Sequence, residues 1–352
     1  MRGHPLIQGT GNREQGTAPA LNNLSPATGG GLHGPGSDGR VGGASLSPGP
    51  RSLPPSSWRA WFLAVRPKTL PAAAAPVILG SSCAVHAGGF RLGPAAAALL
   101  GGLAIQAATN LVNDVSDFEQ GTDTANRLGP LRVAQAGLLT PAAVRWGAVV
   151  AFGLATLCGV YLTVVAGWPV IAIGVLSILA GVAYSAGPFP LTRLGVGEPF
   201  VLVFFGFAAV AGTAYVQVLA VPVAAWWGGL IAGAFATAIL VVNNTRDHAT
   251  DRAAGRRTIP ARFGRRAGVA EFAVWLALAY AGTLALVLTG AAPPWALLAL
   301  ASLPLAAALL RRVARSEDGP SLNAALAATG RLLLVHTVLL SAGLVVPQWL
   351  GR

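Results

Sequence analysis

Polar and apolar positions do not alternate along most of this chain; they are sorted into blocks. Apolar runs recur at about 20 residues, the length a helix rising about 1.5 Å per residue needs to cross a hydrocarbon layer about 30 Å thick. They predict spans near 69–88, 94–115, 146–165, 168–186, 198–219, 223–245, 268–290, 294–310 and 332–349. The expected fold class is therefore all-α, a polytopic membrane helical bundle of about nine transmembrane helices. A membrane β-barrel would show segments of about ten residues with alternating polarity. Runs such as Gly147–Val165 have no such alternation.

The segments between the runs set the orientation. Residues 1–57 are rich in Gly, Pro, Ser and Asn and have no continuous apolar stretch of the kind a secretory leader requires, so they are expected to be a disordered tail ahead of a membrane domain at 58–352. Trp58, Trp61 and Phe62 suit an interfacial segment leading to Arg66. Connections after the odd-numbered spans hold one arginine, Arg91. Those after the even-numbered spans hold Arg127, Arg132, Arg145, Arg193, seven arginines between 246 and 266, Arg311, Arg312, Arg315 and Arg331. By the positive-inside rule the N-terminus and the even connections face the cytoplasm, in a plasma membrane. Composition agrees: 54% of the 352 residues are hydrophobic and 10% are charged, against about 25% charged in soluble domains. The net charge of +12 is accounted for by those loops, so no nucleic-acid partner is expected. Cys83 and Cys158 lie inside apolar runs without metal-type spacing and read as reduced packing residues.

Half of the twelve acidic residues stand at two places, Asp114, Asp117, Glu119 and Asp123 after the second run and Asp247 and Asp251 after the sixth. These two spans run in the same direction, so both clusters emerge on the cytoplasmic side. Asn110, Asp114 and Asp117 fall at i, i+4 and i+7, and Asn243, Asp247 and Asp251 at i, i+4 and i+8, so each set forms one polar stripe. Like charges a turn apart at a membrane call for a cation between them. Oxygen donors without Cys or metal-spaced His favour Mg²⁺, which completes its shell with water and substrate phosphate. Lys68, Arg127, Arg132, Arg246, Arg252, Arg256 and Arg257 lie at the same face and suit a diphosphate. Helix-end charges that merely set topology are the plainer reading of any single arginine. Glu119, Asp123 and His248 also fit solvated loop positions. A transporter whose acids line an ion path remains the competing class; it would place those acids at mid-membrane depth.

The motifs resemble a known family. Asn110-Leu-Val-Asn113-Asp114-Val-Ser-Asp117, followed by Gly121-Thr122-Asp123, and Asn243-Asn244-Thr-Arg246-Asp247-His-Ala-Thr-Asp251-Arg252-Ala-Ala-Gly255-Arg256-Arg257-Thr258 are similar to the two aspartate motifs of the UbiA superfamily of intramembrane prenyltransferases. Within it they resemble the menaquinone branch, the 1,4-dihydroxy-2-naphthoate polyprenyltransferases. Glycine stands at 121, where the wider superfamily has its third aspartate, and Arg256 replaces a lysine. Arg66-Pro67-Lys68-Thr69-Leu70, Arg127-Leu-Gly-Pro-Leu-Arg132 and Tyr184-Ser-Ala-Gly187-Pro188-Phe-Pro190 resemble further elements of that branch, and the likeness covers about residues 60–345.

The resemblance implies a helical bundle around a central cavity, in which Mg²⁺ held by Asp114, Asp117, Asp247 and Asp251, with Asp123 as a further candidate ligand, binds a polyprenyl diphosphate. It implies transfer of the prenyl chain to 1,4-dihydroxy-2-naphthoate with loss of CO₂; a third reading keeps the enzyme class and changes the acceptor to another aromatic ring or haem. Lys68 would contact substrate phosphate or carboxylate. Asn110, Asn113, Asn243 and Asn244 would orient ligands or water, and Tyr184 and the arginines would line the substrate. The isoprenoid tail would leave laterally into membrane lipid, and the Gly/Pro-rich connection at 185–197 reads as a mobile cap.

Overall fold

The computed structural model describes residues 57–121, 128 and 129, 132–186 and 190–350, and every regular element among them is helical. Residues 1–56 of the expected tail, Asp123 and Arg127 lie outside the described residues. The helices are α1 Ser57–Val65, α2 Pro71–His86, α3 Leu92–Glu119, α4 Pro141–Ala166, α5 Pro169–Ala183, α6 Leu191–Leu194 and α7 Gly197–Val201. There follow α8 Ala209–Val218, α9 Val223–Arg246, α10 His248–Ala253, α11 Ile259–Phe263, α12 Arg265–Leu288, α13 Leu303–Arg315 and α14 Gly319–Leu350. A 3₁₀ turn, Pro67–Thr69, precedes α2, and a 3₁₀ stretch, Pro294–Ser302, leads into α13. A π-helical segment, Leu202–Ala208, joins α7 to α8.

Each apolar run becomes a helix because breakers bound it and none interrupts it for long. Pro71, Pro141 and Pro169 stand in the first turns, where a missing N–H leaves no helical bond unmade. Thr140 caps α4, its hydroxyl accepting from the Ala143 N–H at 3.2 Å.

All nine expected runs coincide with helices, but the span count needs correction. Among the described residues, seven helical stretches are long and apolar enough to cross a membrane, and the α1–α2 pair, bent by 54°, makes an eighth if it counts as one span. The odd one out is α5. Its 15 residues reach about 22 Å, short of a hydrocarbon core about 30 Å thick.

The enclosure of the helices is uneven. About 72% of the apolar stretch of α9 is buried inside the protein, against 22% for α4, whose Trp146, Val150, Leu157 and Val164 point outward. Ile231, Phe235, Val241 and Val242 put α9 at the centre of the main core. Small residues let backbones meet there. A Cβ at Gly206 in the π segment would overlap the Gly229 carbonyl, and one at Gly233 would stand 2.8 Å from the Leu202 carbonyl oxygen. Gly229 and Gly233 lie one turn apart, the spacing with which membrane helices achieve close approach.

A second tie is polar and fully enclosed. Ser302 Oγ is 2.7 Å from the Tyr280 hydroxyl and 3.0 Å from His336 Nδ1, while His336 Nε2 is 3.0 Å from Thr283 Oγ1. This chain of partners joins α12, the 3₁₀ stretch before α13, and α14. Cys83 and Cys158 are free thiols, as expected.

Candidate active site

The acidic motifs meet at one end of the bundle, where α3 and α9 finish. On α3, Asn110, Asp114 and Asp117 all turn inward and are buried. The second stripe is less regular, because α9 stops at Arg246, Asp247 caps it with φ −93°, and α10 restarts at His248. The Asp251 N–H still donates to the Asp247 carbonyl at 2.8 Å, so the helical repeat is nearly kept and Asp251 is buried.

Arg256 joins the two motifs. Its guanidinium lies 3.2 Å from Asp251 Oδ1 and 3.8 Å from Asp117 Oδ1. Asp117 is also paired with Arg132, which is itself buried. The residues after Arg132 dock on the same helix: the N–H groups of Val133 and Ala134 each donate to one oxygen of Asp114 at 3.0 Å. Asp114, 1% exposed, thus anchors a connection as well as lining the site. Among the described residues, no three His, Cys, Asp or Glu side chains stand close enough together to form a metal cluster. Asp117 and Asp251, one from each motif, approach one guanidinium and form a hard donor pair of the kind Mg²⁺ takes in ones and twos.

Several expected site residues have other immediate partners. Arg246 is a buried bracket. It donates to Asp247 at 2.8 and 2.5 Å, to Asn243 Oδ1 at 2.8 Å and to Asn323 Oδ1 of α14 at 2.6 Å. Asn323 in turn donates to the Leu128 carbonyl at 2.7 Å. Asn110 donates to the Val65 carbonyl at 2.9 Å and to Thr69 Oγ1 at 3.0 Å, so it fixes the turn that carries Lys68. Arg66 opens that turn with a left-handed φ of 56°. Lys68 is exposed and makes no ion pair among the described residues. Arg252 donates to the Ala261 carbonyl at 2.7 Å, facing α11, and Arg257 is exposed. His248 Nδ1 lies 2.9 Å from the Thr245 carbonyl, and Glu119 pairs with Arg145 at the surface.

The connection after α5 is tied to both motifs. Ser185 hydrogen-bonds Asn113, and its carbonyl accepts from Gln120 at 3.2 Å. Gln120 also accepts from Arg193 at 3.0 Å, and the Arg193 carbonyl accepts from the Arg257 N–H at 3.3 Å. Tyr184, at the head of this connection, faces Gly197, where an added Cβ would stand 3.9 Å from its ring, and lies within electrostatic reach of Glu198, Arg256, Asp251 and Asp117. Residues 187–189 of the expected cap lie outside the described residues.

Sequence reasoning passed over Glu198. Its carboxylate is buried and accepts from Asn244 Nδ2 at 3.0 Å. The available signal was a lone acid opening an apolar run, which in a membrane protein marks a functional position by default.

Comparison with known proteins identifies the family. Residues 73–346 match the UbiA prenyltransferase family. The 1,4-dihydroxy-2-naphthoate octaprenyltransferase of Mycobacterium tuberculosis is 34% identical over 297 residues, covering 83% of this chain and 99% of the relative. Its Escherichia coli counterpart is 33% identical, covering 84% and 97%. A UbiA homolog from Aeropyrum pernix superimposes with a TM-score of 0.60 at 13% identity, covering 78% of this chain and 98% of that one. One from Archaeoglobus fulgidus, bound to GPP and Mg²⁺, does so with a TM-score of 0.57 at 14% identity, covering 80% and 99%. With its two aspartate motifs facing each other across Arg256 at one end of an all-helical bundle, this chain belongs to the UbiA prenyltransferase family, as a multi-pass integral membrane enzyme.

Proposed function

We propose that the chain transfers a polyprenyl group from its diphosphate to 1,4-dihydroxy-2-naphthoate, releasing CO₂ and giving a demethylmenaquinol. The observation that carries this reading is the approach of Asp117 and Asp251, one from each motif, to the single guanidinium of Arg256. A diphosphate needs such a meeting of hard anionic donors, which hold divalent cations, and of positive groups that face phosphate oxygen directly.

Asp117 and Asp251, with Asp247 and Asp114 beside them, are the residues that would hold Mg²⁺. When bound, the metal supplies positive charge to the leaving diphosphate, more in the transition state than in the ground state. Arg256 and Arg132 add charge at the same place, already positioned by their carboxylate partners. Asp114 keeps Arg132 in place by holding Val133 and Ala134. The apolar interior excludes water from the allylic carbon, and the isoprenoid tail extends into lipid.

The acceptor reading rests on the motif likeness and on what the most similar relatives are named as using. Attack at the ring carbon that bears the carboxylate leaves no proton there to lose. The C–C bond to the carboxyl group breaks instead, and its electron pair restores the aromatic ring as CO₂ departs. The basic even-numbered connections support a cytoplasmic N-terminus and active site in the plasma membrane.

Carboxyl-labelled naphthoate tests this directly. Purified protein supplied with Mg²⁺ and a polyprenyl diphosphate is expected to release label and lipid-soluble product in a ratio near one. Prenylation of 4-hydroxybenzoate with the naphthoate untouched would overturn the acceptor assignment.

A further inference from the structure

The carboxylates at the mouth of the site are matched with arginines: Asp117 with Arg132 and Arg256, Asp251 with Arg256, Asp247 with Arg246. Glu198 is not. It makes no ion pair among the described residues, and its partner is the neutral amide of Asn244. On α9, Asn244 precedes Asp247 by three residues, so Glu198 stands about 4–5 Å further toward the bundle interior than the start of the acidic mouth. The Tyr184 ring is close by, 3.9 Å from where a Cβ on the preceding Gly197 would stand. Glu271 on α12 is a second carboxyl group nearby, with both oxygens buried.

We propose that Glu198 is a specificity-determining residue that accepts a hydrogen bond from a ring hydroxyl of the aromatic acceptor. This rests on the function proposed above. With the diphosphate at Asp117, Asp251 and Arg256, the allylic carbon points inward, and the acceptor ring must lie at the depth of Glu198. Its two kinds of polar group are then sorted by charge. An O–H bonds well to the Glu198 carboxyl oxygen, whereas the acceptor's own carboxylate finds no cation there and turns toward the arginines at the mouth. The bond also feeds electron density into the ring through the phenolic oxygen. No net proton transfer is required, because the departing carboxyl carbon supplies the electron pair that rearomatises the ring.

The test compares dihydroxynaphthoate with its 1-O-methyl and 4-O-methyl ethers in wild-type protein and in Glu198→Gln. Gln keeps an oxygen for Asn244 and loses the charge. The expected result is a fall in kcat/KM of about ten- to a hundredfold for Glu198→Gln with the dihydroxy acceptor, the range for a hydrogen bond to a charged group. The KM for prenyl diphosphate should not move. One of the two ethers should be as poor a substrate for the wild type as the parent acceptor is for the variant, and should lose little more in the variant. Equal loss with every acceptor, or a raised KM for the diphosphate, would show that Glu198 merely holds Asn244 and would overturn the proposal. Wild-type protein alone also decides it, for if both ethers react as fast as the dihydroxy compound, no hydroxyl is being recognised. Failure of the wild type to use any of the three naphthoates would instead refute the proposed function.

Discussion

Replacing Gly233 by alanine puts one methyl group where two backbones meet. An ideal Cβ there lies 2.8 Å from both the Leu202 carbonyl oxygen and Leu202 Cδ1, and 3.0 Å from Gly206 Cα. The leucine methyl can rotate away; the carbonyl and the Cα cannot. Restoring ordinary contact at 3.4 Å requires the π segment to withdraw from α9 by 3.4 − 2.8 = 0.6 Å. Gaps of that size forfeit a quarter or more of each dispersion contact they open, and overpacking costs about 1–3 kcal/mol. Alanine's better helix propensity returns up to about 1 kcal/mol, so from the middle of the overpacking range, about 2 kcal/mol, a net loss of about 1–2 kcal/mol remains. At about 2–4 °C per kcal/mol, the melting midpoint should fall by about 2–8 °C. The assay is thermal unfolding in detergent, followed by reaction of the buried thiol of Cys83 with a fluorogenic dye. Gly153→Ala on α4 is the control, since a Cβ there meets nothing within 4 Å. It should melt at or above the wild-type temperature. Turnover should fall with Gly233→Ala beyond the loss of folded protein, because the π segment carries the helix that presents Glu198 to Asn244. If Gly233→Ala melts and turns over like wild type, the close approach has no energetic role and the reasoning fails.

Asp251→Asn should lower turnover at least about a hundredfold without changing the melting temperature much; Asp117→Asn should lower turnover as far and also the melting temperature, since it takes the counter-charge from buried Arg132, and Asp114→Asn should lower both, since an amide cannot accept from both Val133 and Ala134 and strands a buried N–H at about 1–3 kcal/mol. Activity and melting curves on the same preparations check this. Ser302→Ala removes the shared partner of Tyr280 and His336 and should cost about 0.6–1.7 kcal/mol of stability, with turnover unchanged. Asp318 accepts from the Ser321 N–H at 2.8 Å, which lowers its carboxyl pKa below the ordinary value of 3.8. Its cap is therefore fully present above about pH 4 and is lost as pH falls through the depressed value. Asp318→Asn should flatten the acid side of a melting-temperature profile while leaving neutral-pH turnover near normal, which also makes it the control for the other Asp→Asn changes. Deletion of residues 1–57 should leave turnover intact, because that composition cannot bury enough apolar surface to offset ordering entropy; loss of activity in an inserted, truncated protein would refute it.

Periodicity was sufficient to find the helices, because apolar runs have few ways to be anything else in lipid. Span count was harder, since a run's hydropathy does not reveal where its helix stops. The expected span at 168–186 runs on through Tyr184 and Ser185, which the chain uses to reach Asn113 and Gln120. Spacing also told which face Asn110, Asp114 and Asp117 share, and not what stands opposite. Asn110 meets the turn at Val65–Thr69 and Asp114 meets Val133 and Ala134, partners between 19 and 45 residues away. By its place in the sequence Arg246 is one of several cations expected to face phosphate. Its bond to Asn323 spans 77 residues, a relation that no local pattern encodes.

The central position of α9 has a consequence for how the enzyme is made. During synthesis α9 emerges before α12 and α14, so the helix that brings the second aspartate motif spends that interval without the neighbours that later enclose it. Asp247 is beside Arg246 from the start, whereas Asn323, which holds that arginine from the other side, arrives 77 residues later. Ser302 and His336 follow the same order. The second motif is therefore braced only after α14 has entered the membrane.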